Sequence, residues 1–589
     1  MGFLCLGMHT AAGLSVDFHS ETDVPISAGP FTANGEPISI SLQFPPRTGA
    51  DLMVVRNTGI DFIDGTFSNL AHGQTVSLSH DGVTYDFVAN YFGGTGNDLV
   101  LMWKNIRLVG WGDNTNGLLG DGTFTSRAEP APVTATGVLA GKTVIAMATG
   151  YYHSLALCSD GTLAAWGIGV YGNLGNGSTG LSNVPVAVDT TSNESALTGK
   201  TVIGVATGSF HSMALCSDGT LATWGANMAG QLGDGTQTNR SLPVKVDSGA
   251  LSGKKVVGMA AGAAHSLALC SDGTVAAWGI NLKGQLGNNS EIGYQTQPVE
   301  VNTAPGVSAL HGKTVIGVNG GDESSLAWCS DGSAAQWGRS GATDVRAPAS
   351  VAVSNVSALA AGSSNWLALR GDGTLFTWGN GTGSTVPIPF SIPGPSAVGI
   401  AAGMQHNLAL LSDGTLFTWG NSDPIVLGNL NAMTEAGIRF SKLQAGQSRS
   451  HSLVLAAYPN PQAARRNWRQ QWFGDPYANN ESSVDGADPD HDGLQNLMEY
   501  ALNLDPNAFT PAPMELQPAG SHLECYYTRS GIARAAGVTF QVEWSDDLAT
   551  WFTTGVIEEM MSNGGAVEQM KVTLPAGIGG LRFVRLRVQ

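Results

Sequence analysis

Two patterns in this chain have the residue types and spacing to do chemistry. The sharper is DPDHDGLQNLME at residues 488 to 499. Asp488, Asp490 and Asp492 fall at positions 1, 3 and 5 of a twelve-residue loop, Gly493 at 6, Leu494 at 7, Asn496 at 9 and Glu499 at 12. Side-chain oxygens at that spacing, with the Leu494 carbonyl, can surround a hard cation while the glycine permits the sharp turn. The helix-like stretch LQNLMEYALN follows at once and brings Glu499 round to close the sphere. The expectation is a Ca2+ site with these six ligands; the bland alternative is a solvated acidic turn before a helix.

The second pattern is a set of five recurring histidines, His153, His211, His265, His406 and His451. A general base is needed once, in a pocket with a partner. These recur at one position of a repeat and give way to Ser324 and Asn365 in two copies. Replacement by other small hydrogen-bonding residues points to a structural bond to neighbouring backbone. Cys158, Cys216, Cys270 and Cys329 likewise share one repeat position, directly before Ser-Asp-Gly. Neighbouring copies lie too far apart for a disulfide, which needs Cα atoms within about 7 Å, so they are expected to be buried thiols. No Gly-x-Ser-x-Gly elbow, P-loop or zinc-spaced CxxC pair is present, and the reading is not an enzyme.

The elements that must carry these residues are set by seven Trp-Gly pairs, at Trp111, Trp166, Trp224, Trp278, Trp337, Trp378 and Trp419. Their spacings of 55, 58, 54, 59, 41 and 41 residues are those of an array of supersecondary units. Six pairs close a nearly copied block such as HSLALCSDGTLAAWG from His153: an apolar run, Asp-Gly, and a second run ending in Trp. That is a hairpin signature, and Asp-Gly predicts a two-residue type I′ turn. A further β-rich run precedes each block, so each unit supplies about four short strands, the content of one propeller blade. The tryptophans are expected to pack between blades.

The first Trp-Gly, in NIRLVGWG, has no Ala-Gly and His-Ser run before it, while the last such run, LQAGQSRSHSLVL, has no Trp-Gly after it. The halves complement each other, predicting one blade shared between the ends and a closed ring of seven that leaves no strand edge open. With GNLG at Gly172 to Gly175, GQLG at Gly230 to Gly233 and Gly284 to Gly287, and GLLG at Gly117 to Gly120, residues 104 to 457 resemble the repeats of the regulator of chromosome condensation family. The tail is absent after Trp337 and Trp378, where the units shrink, so the first four units should carry the longer loops. The resemblance implies a seven-bladed β-propeller and, as one known activity of the family, nucleotide exchange on a small GTPase.

Composition narrows the function. With 28 Lys and Arg against 46 Asp and Glu, the net charge of −18 works against a nucleic-acid partner, whose phosphates demand cations. No apolar run reaches the length of about 18 residues that would suggest a membrane helix. Residues 1 to 16 lack the basic start and long apolar stretch of a secretory signal, so the chain is either cytoplasmic or part of a longer exported one.

The flanks suggest export. The loop at 488 to 499 resembles the single calcium loops of dockerin and thrombospondin type 3 repeats in bacterial surface proteins. Alternating segments from about residue 512 predict a small β-sandwich like the C-terminal modules of bacterial secreted proteins. Residues 31 to 103 read as a β-rich cap-like segment after a poorly ordered stretch 1 to 30, and 458 to 511 as linker, helix and calcium loop. GGTGNDLVL at 93 to 101 fits one turn of a calcium β-roll but occurs once, so it reads as strand-turn-strand. The expected architecture is mainly β, and the expected protein is a monomeric scaffold at the cell surface or outside it, binding a protein partner through rigid propeller loops. The loops at 113 to 130, 168 to 186, 226 to 243 and 280 to 298 are the expected face, with Phe124, Arg127, Tyr171, Arg240 and Tyr294 as anchors because aromatics and Arg dominate hot spots. The alternative is a guanine nucleotide exchange factor; a polysaccharide-active enzyme is a distant third.

Overall fold

The computed structural model describes residues 13–341, 343–379, 384–404, 406–420, 430–446, 451–460, 462–464, 466–467, 514–519, 522–545, 552–553, 556–563, 567–575 and 583–588. These residues are mainly β, in two compact units: one holds the N-terminal strands and the repeats, the other the C-terminal strands.

In the repeats each copied block folds as the pattern requires. The strands Val144–Thr149, His153–Cys158, Leu163–Gly167 and Ser182–Ala187 form an antiparallel sheet in sequence order. Five further sheets repeat this order, the last with three strands among the described residues. One more sheet runs Arg127–Pro132, Ile106–Gly112, His451–Ala457, Arg439–Ala445, so strands from the two ends of the repeat region lie side by side. Leu453 packs so closely on Gly110 that a Cβ there would come within 2.7 Å of it. The first strand of each of the six successive sheets, with Arg439–Ala445 of the shared sheet, lines one 190 Å3 cavity walled by small residues such as Ala148, Ala206, Ala260, Gly320 and Ala401.

The hairpin turns differ from the expected type I′. Positive φ occurs at Gly161 (83°) but not at Asp160. The Gly161 N–H bonds to the Cys158 carbonyl, and the Cys158 N–H to Thr162, both at 2.9 Å, so the loop is the three-residue Ser-Asp-Gly form with glycine alone left-handed. The reason is the threonine that follows. Asp160 turns its carboxylate back to accept from the Thr162 N–H at 3.0 Å, which holds the aspartate in ordinary backbone space. Asp218, Asp272, Asp331, Asp372 and Asp413 do the same for the residue two places on. Outside the repeats, Asp81 (φ 48°) and Gly82 (φ 76°) take the two successive positive φ angles of a type I′ turn.

The N-terminal strands begin at Leu14, earlier than the boundary expected at residue 31, and Phe18 is fully buried. They contain three parallel pairs that alternation alone did not reveal: Leu14–Phe18 with Ile38–Leu42, Ile26–Ala28 with Leu52–Asn57, and Thr32–Asn34 with Asp64–Thr66. GGTGNDLVL is a strand-turn-strand, Gly93 pairing with Asp98, whose carboxylate accepts from the Asn57 and Thr95 amides. This segment covers the end of the repeats that carries the Ser-Asp-Gly turns. Asp61 pairs with Lys255 at 2.6 Å, Arg47 donates to the Ser412 carbonyl at 3.2 Å, and Phe62 joins a core with Met213, Leu215 and Trp278.

In the second unit, Met514–Ala519, His522–Ser530, Val567–Pro575 and Ile557–Asn563 form one sheet and Phe540–Ser545 with Phe583–Val588 another. Cys525, Tyr527, Val542, Met570, Val572 and Leu574 bury a common core between them. The Pro-rich lead-in supplies the strand Met514–Ala519, where Pro518 is tolerated because the strand is an edge.

Candidate protein-binding face

The repeat histidines are structural, and the structure shows what they hold. His153 Nε2 lies 2.8 Å from Ser212 Oγ of the next unit, His211 3.0 Å from Ser266, His265 2.9 Å from Ser325 and His406 2.7 Å from Ser452. Each of the first three serines donates onward to a carbonyl of a Gly-x-Leu-Gly tail: Ser212 to Asn173, Ser266 to Gln231, Ser325 to Gln285, at 2.8 to 2.9 Å. A hydroxyl has one proton and a carbonyl only accepts, so the histidine must donate through Nε2. The partner is thus a side chain of the neighbouring unit, where backbone was expected. Burial pushes His153 and His211 down to about 3 and His265 and His406 to about 4, which keeps them neutral and removes them as bases at neutral pH.

The same tail carbonyls accept a second bond from tryptophan. Trp166 Nε1 donates to Leu118, Trp224 to Asn173, Trp278 to Gln231 and Trp337 to Gln285, at 2.8 to 3.0 Å. The closing glycine of the tail makes this approach fit: Gly175, at φ 68°, would place a Cβ 2.6 Å from Trp224 Nε1. Six of the seven tryptophans are buried between units as expected, while Trp419 is half-buried and stacks on Phe390 at 4.8 Å. Cys158, Cys216, Cys270, Cys329 and Cys525 are free and buried, and burial raises Cys158 to about 12 and Cys216 to about 11, leaving inert thiols.

The end opposite the Ser-Asp-Gly turns carries the long loops, because the chain leaves each Trp-Gly there. Exposed apolar side chains gather on it at equivalent places: Val170, Met228 and Leu282, each four residues past its tryptophan, are 52%, 69% and 62% exposed. Among the expected anchors, Phe124 and Tyr294 are exposed. Tyr171 packs edge-on against Phe210 at 5.0 Å, and Phe210 stacks on Tyr152 at 4.5 Å, making an aromatic cluster over the first two units. Arg127 and Arg240 serve their own loops, reaching Asp121 at 2.7 Å and Asp234 at 2.9 Å. Burial pushes Asp121 up, yet hydrogen bonds from Thr123, Arg127 and Asn114 outweigh it and hold the carboxyl below its usual range. The Val170, Met228, Leu282 arc was legible as an aliphatic residue at a fixed offset from Trp, but hot-spot composition favoured aromatics and Arg.

Counted from the sheet that begins at Val144, the regular joints fail between the fourth and fifth units. Ser324 stands where histidine would, Trp366 where the next serine would, and Trp366 Nε1 donates to Ser324 Oγ at 2.9 Å. The tail is missing, so Trp378 Nε1 takes the Gln336 side-chain oxygen instead, at 2.9 Å. The chain after Trp337 folds straight back, Ser340 pairing with Thr343. At this joint lies a 220 Å3 cavity lined by Asp322, Glu323, Arg339, Ser363, Ser364 and Trp366, among others. Residues 488 to 499, with the expected calcium ligands Asp488, Asp490, Asp492, Leu494, Asn496 and Glu499, lie outside the described residues. Among the described residues no helix is long and apolar enough to cross a membrane.

Comparison with known proteins identifies the units. Residues 107–157, 160–215 and 218–269 match the Regulator of chromosome condensation (RCC1) repeat, and a second form of that repeat matches 144–173, 202–231, 256–285 and 397–423. The sheets form an RCC1-like propeller that carries these repeats. Residues 286–396, which hold the irregular joint, fall outside both sets of matches. Human E3 ubiquitin-protein ligase HERC2 is 35% identical over 223 residues, 38% of this chain and 4% of that protein. The ultraviolet-B receptor UVR8 of Arabidopsis thaliana is 33% identical over 205 residues, 35% of this chain and 44% of the receptor. The chain thus spans less than half the length of these relatives. Yeast RCC1 (Prp20), in its complex with Kap60, has the same fold at 19% identity and a TM-score of 0.53 over 63% of this chain and 92% of that one. Human WBSCR16 gives 21% identity and a TM-score of 0.50 over 60% and 99%. At these identities the structures speak for the fold alone.

Proposed function

We propose that this chain is a non-enzymatic binding scaffold in which seven blades close into a rigid ring and the loop-bearing end docks a regulatory protein partner. The observation that carries this reading is the contrast between the two ends of the repeats. The N-terminal strands pack against one end through Asp61, Phe62 and Arg47, while Val170, Met228 and Leu282 leave a repeated apolar arc exposed on the other. A rigid ring holds such side chains in place before contact, which lowers the ordering cost of association. Phe124, Tyr171 and Tyr294 extend the arc. The similar yeast propeller bound to Kap60 supports a protein as the ligand.

A photo-crosslinking residue placed at 228 or 282 should capture a discrete partner that the same residue at Asp160, on the turn end, does not. With the crosslinking residue at 282, the variant V170D/M228D should lose that adduct; capture from position 160 alone would reject the surface. The reading further takes the chain to a surface or extracellular setting, with Ca2+ at 488 to 499 stiffening the approach to a C-terminal β-sandwich. Titration of the full chain with Ca2+, repeated on D488N/D490N, tests the metal. Absence of a difference between the two would remove it.

A further inference from the structure

We propose that the cavity at the joint between the fourth and fifth units is the specificity pocket of the loop-bearing end, and that it takes the cationic head of a lysine or arginine side chain from the partner. The proposal rests on the reading that this end docks a protein.

The pocket lies where the inner strand of each unit turns into its second strand. Equivalent positions in the first, second, third and fifth units are neutral: Tyr151-Tyr152, Ser209-Phe210, Ala263-Ala264 and Ser363-Ser364. The fourth unit alone among these places two acids there, Asp322 and Glu323. Glu323 is spoken for, since its carboxylate accepts from Arg339 at 2.6 Å while its carbonyl takes the Arg339 amide at 2.8 Å. Two carboxylates against one guanidinium leave one negative charge in the cavity, and it belongs to Asp322. The side chain that hydrogen-bonds the Asp322 carboxylate is a hydroxyl, that of Tyr151, while Arg339 acts on it from its pairing with Glu323. Tyr151 crosses from the first unit to lie against the carboxylate and within 3.4 Å of Ser363 Oγ. Burial raises the Asp322 carboxyl, the response of a desolvated acid that Arg339 compensates in part.

A half-buried carboxylate that shares one guanidinium with Glu323 gains from a further cation, and the geometry selects which. Hydroxyls of Ser363 and Tyr151 and the Asp322 carboxylate together accept hydrogen bonds from a group with several donors and a positive charge. Lysine ammonium and arginine guanidinium are the side chains with that character. The cavity exists because the tail of the fourth unit is missing and Trp366 and Gln336 have taken over its bonds, leaving space where a regular joint is filled. The net charge of −18 favours a basic partner over long range.

The probe is agmatine, which presents a guanidinium on an apolar stem, titrated into the full chain and followed by crystallographic soaking and calorimetry. Binding in the millimolar range is expected, weakened about tenfold or more by Asp322→Asn and unaffected by Asp344→Asn, whose carboxylate pairs with Lys283 outside the cavity. Arg339→Gln frees Glu323 and should tighten binding. Agmatine density elsewhere, or Asp322→Asn binding as well as the parent chain, would overturn the proposal, and so would a parent chain that takes up no agmatine. Because agmatine reports on the cavity alone, its failure leaves the crosslinking result from Met228 and Leu282 standing, and the reverse holds too.

Discussion

The first three joints between units and the fourth are built from the same strands but closed by different bonds. In the regular joints one tail carbonyl accepts both a serine and a tryptophan from the next unit, and the preceding histidine donates to that serine. Serine and tryptophan bond that backbone oxygen directly and the histidine is held to it through the serine. At the fourth joint that oxygen is absent. Trp366 fills the volume and Gln336 supplies the acceptor, so stability is kept while regularity is lost. A repeat protein reuses one core solution, and here the departure from it is made good by two other side chains.

The comparison can be broken most severely at a tryptophan. Trp224→Ala removes a fully buried ring, leaves the Asn173 carbonyl with the Ser212 bond alone, and should cost about 3–5 kcal/mol in denaturant unfolding of the full chain. Trp419→Ala, at a half-buried stack, should cost about 1 kcal/mol.

Acid comes next. The buried histidines have folded values near 3 to 4, below the unfolded value of about 6.5, so the unfolded chain binds the extra protons. Their contribution is complete above about pH 6.5 and is lost as pH falls from there towards 4, by about 1.4 kcal/mol per pH unit for each histidine. Thermal melts between pH 7 and 4.5 should show a steep fall. His211→Asn, which copies Asn365 of the fifth unit, should make it shallower, and a flat profile in the parent chain would mean the rings are not dry.

At a single regular joint, Ser212→Ala leaves His153 Nε2 without its acceptor and should cost about 1–3 kcal/mol. Gln336→Leu tests the repaired joint by stranding the Trp378 N–H, at about 1 kcal/mol. A cost for Gln336→Ala with none for Gln336→Leu would show that the amide is filling space rather than bonding. Smallest in stability is Met228→Asp, within about 0.5 kcal/mol because the side chain is exposed, though it should weaken partner binding sharply.

Much of this was legible in the chain. Strand content, the buried tryptophans and the free thiols follow from a block repeated in register, because each block is a local hairpin whose apolar faces must be covered. The shared sheet followed from two incomplete units at the ends. The turn type was misjudged because Asp-Gly was read without the threonine after it. The parallel pairing of the N-terminal strands escaped because alternation gives the faces of a strand but not the direction of its neighbour. The arc of Val170, Met228 and Leu282 shows in the chain only as an apolar residue at a fixed offset from Trp, and its exposure comes from the structure.

By itself, then, the sequence determined the unit: where each strand runs, where it turns, and which side chains are too apolar to remain in water. Those are short-range consequences of residues a few places apart. Only the tertiary structure decided what closes one unit on the next, because His153 finds Ser212 across 59 residues and Trp166 finds Leu118 across 48. A hydrogen bond has a direction and a single partner, and no periodicity in the chain specifies which of several equivalent oxygens will be within 3 Å once the sheets are packed.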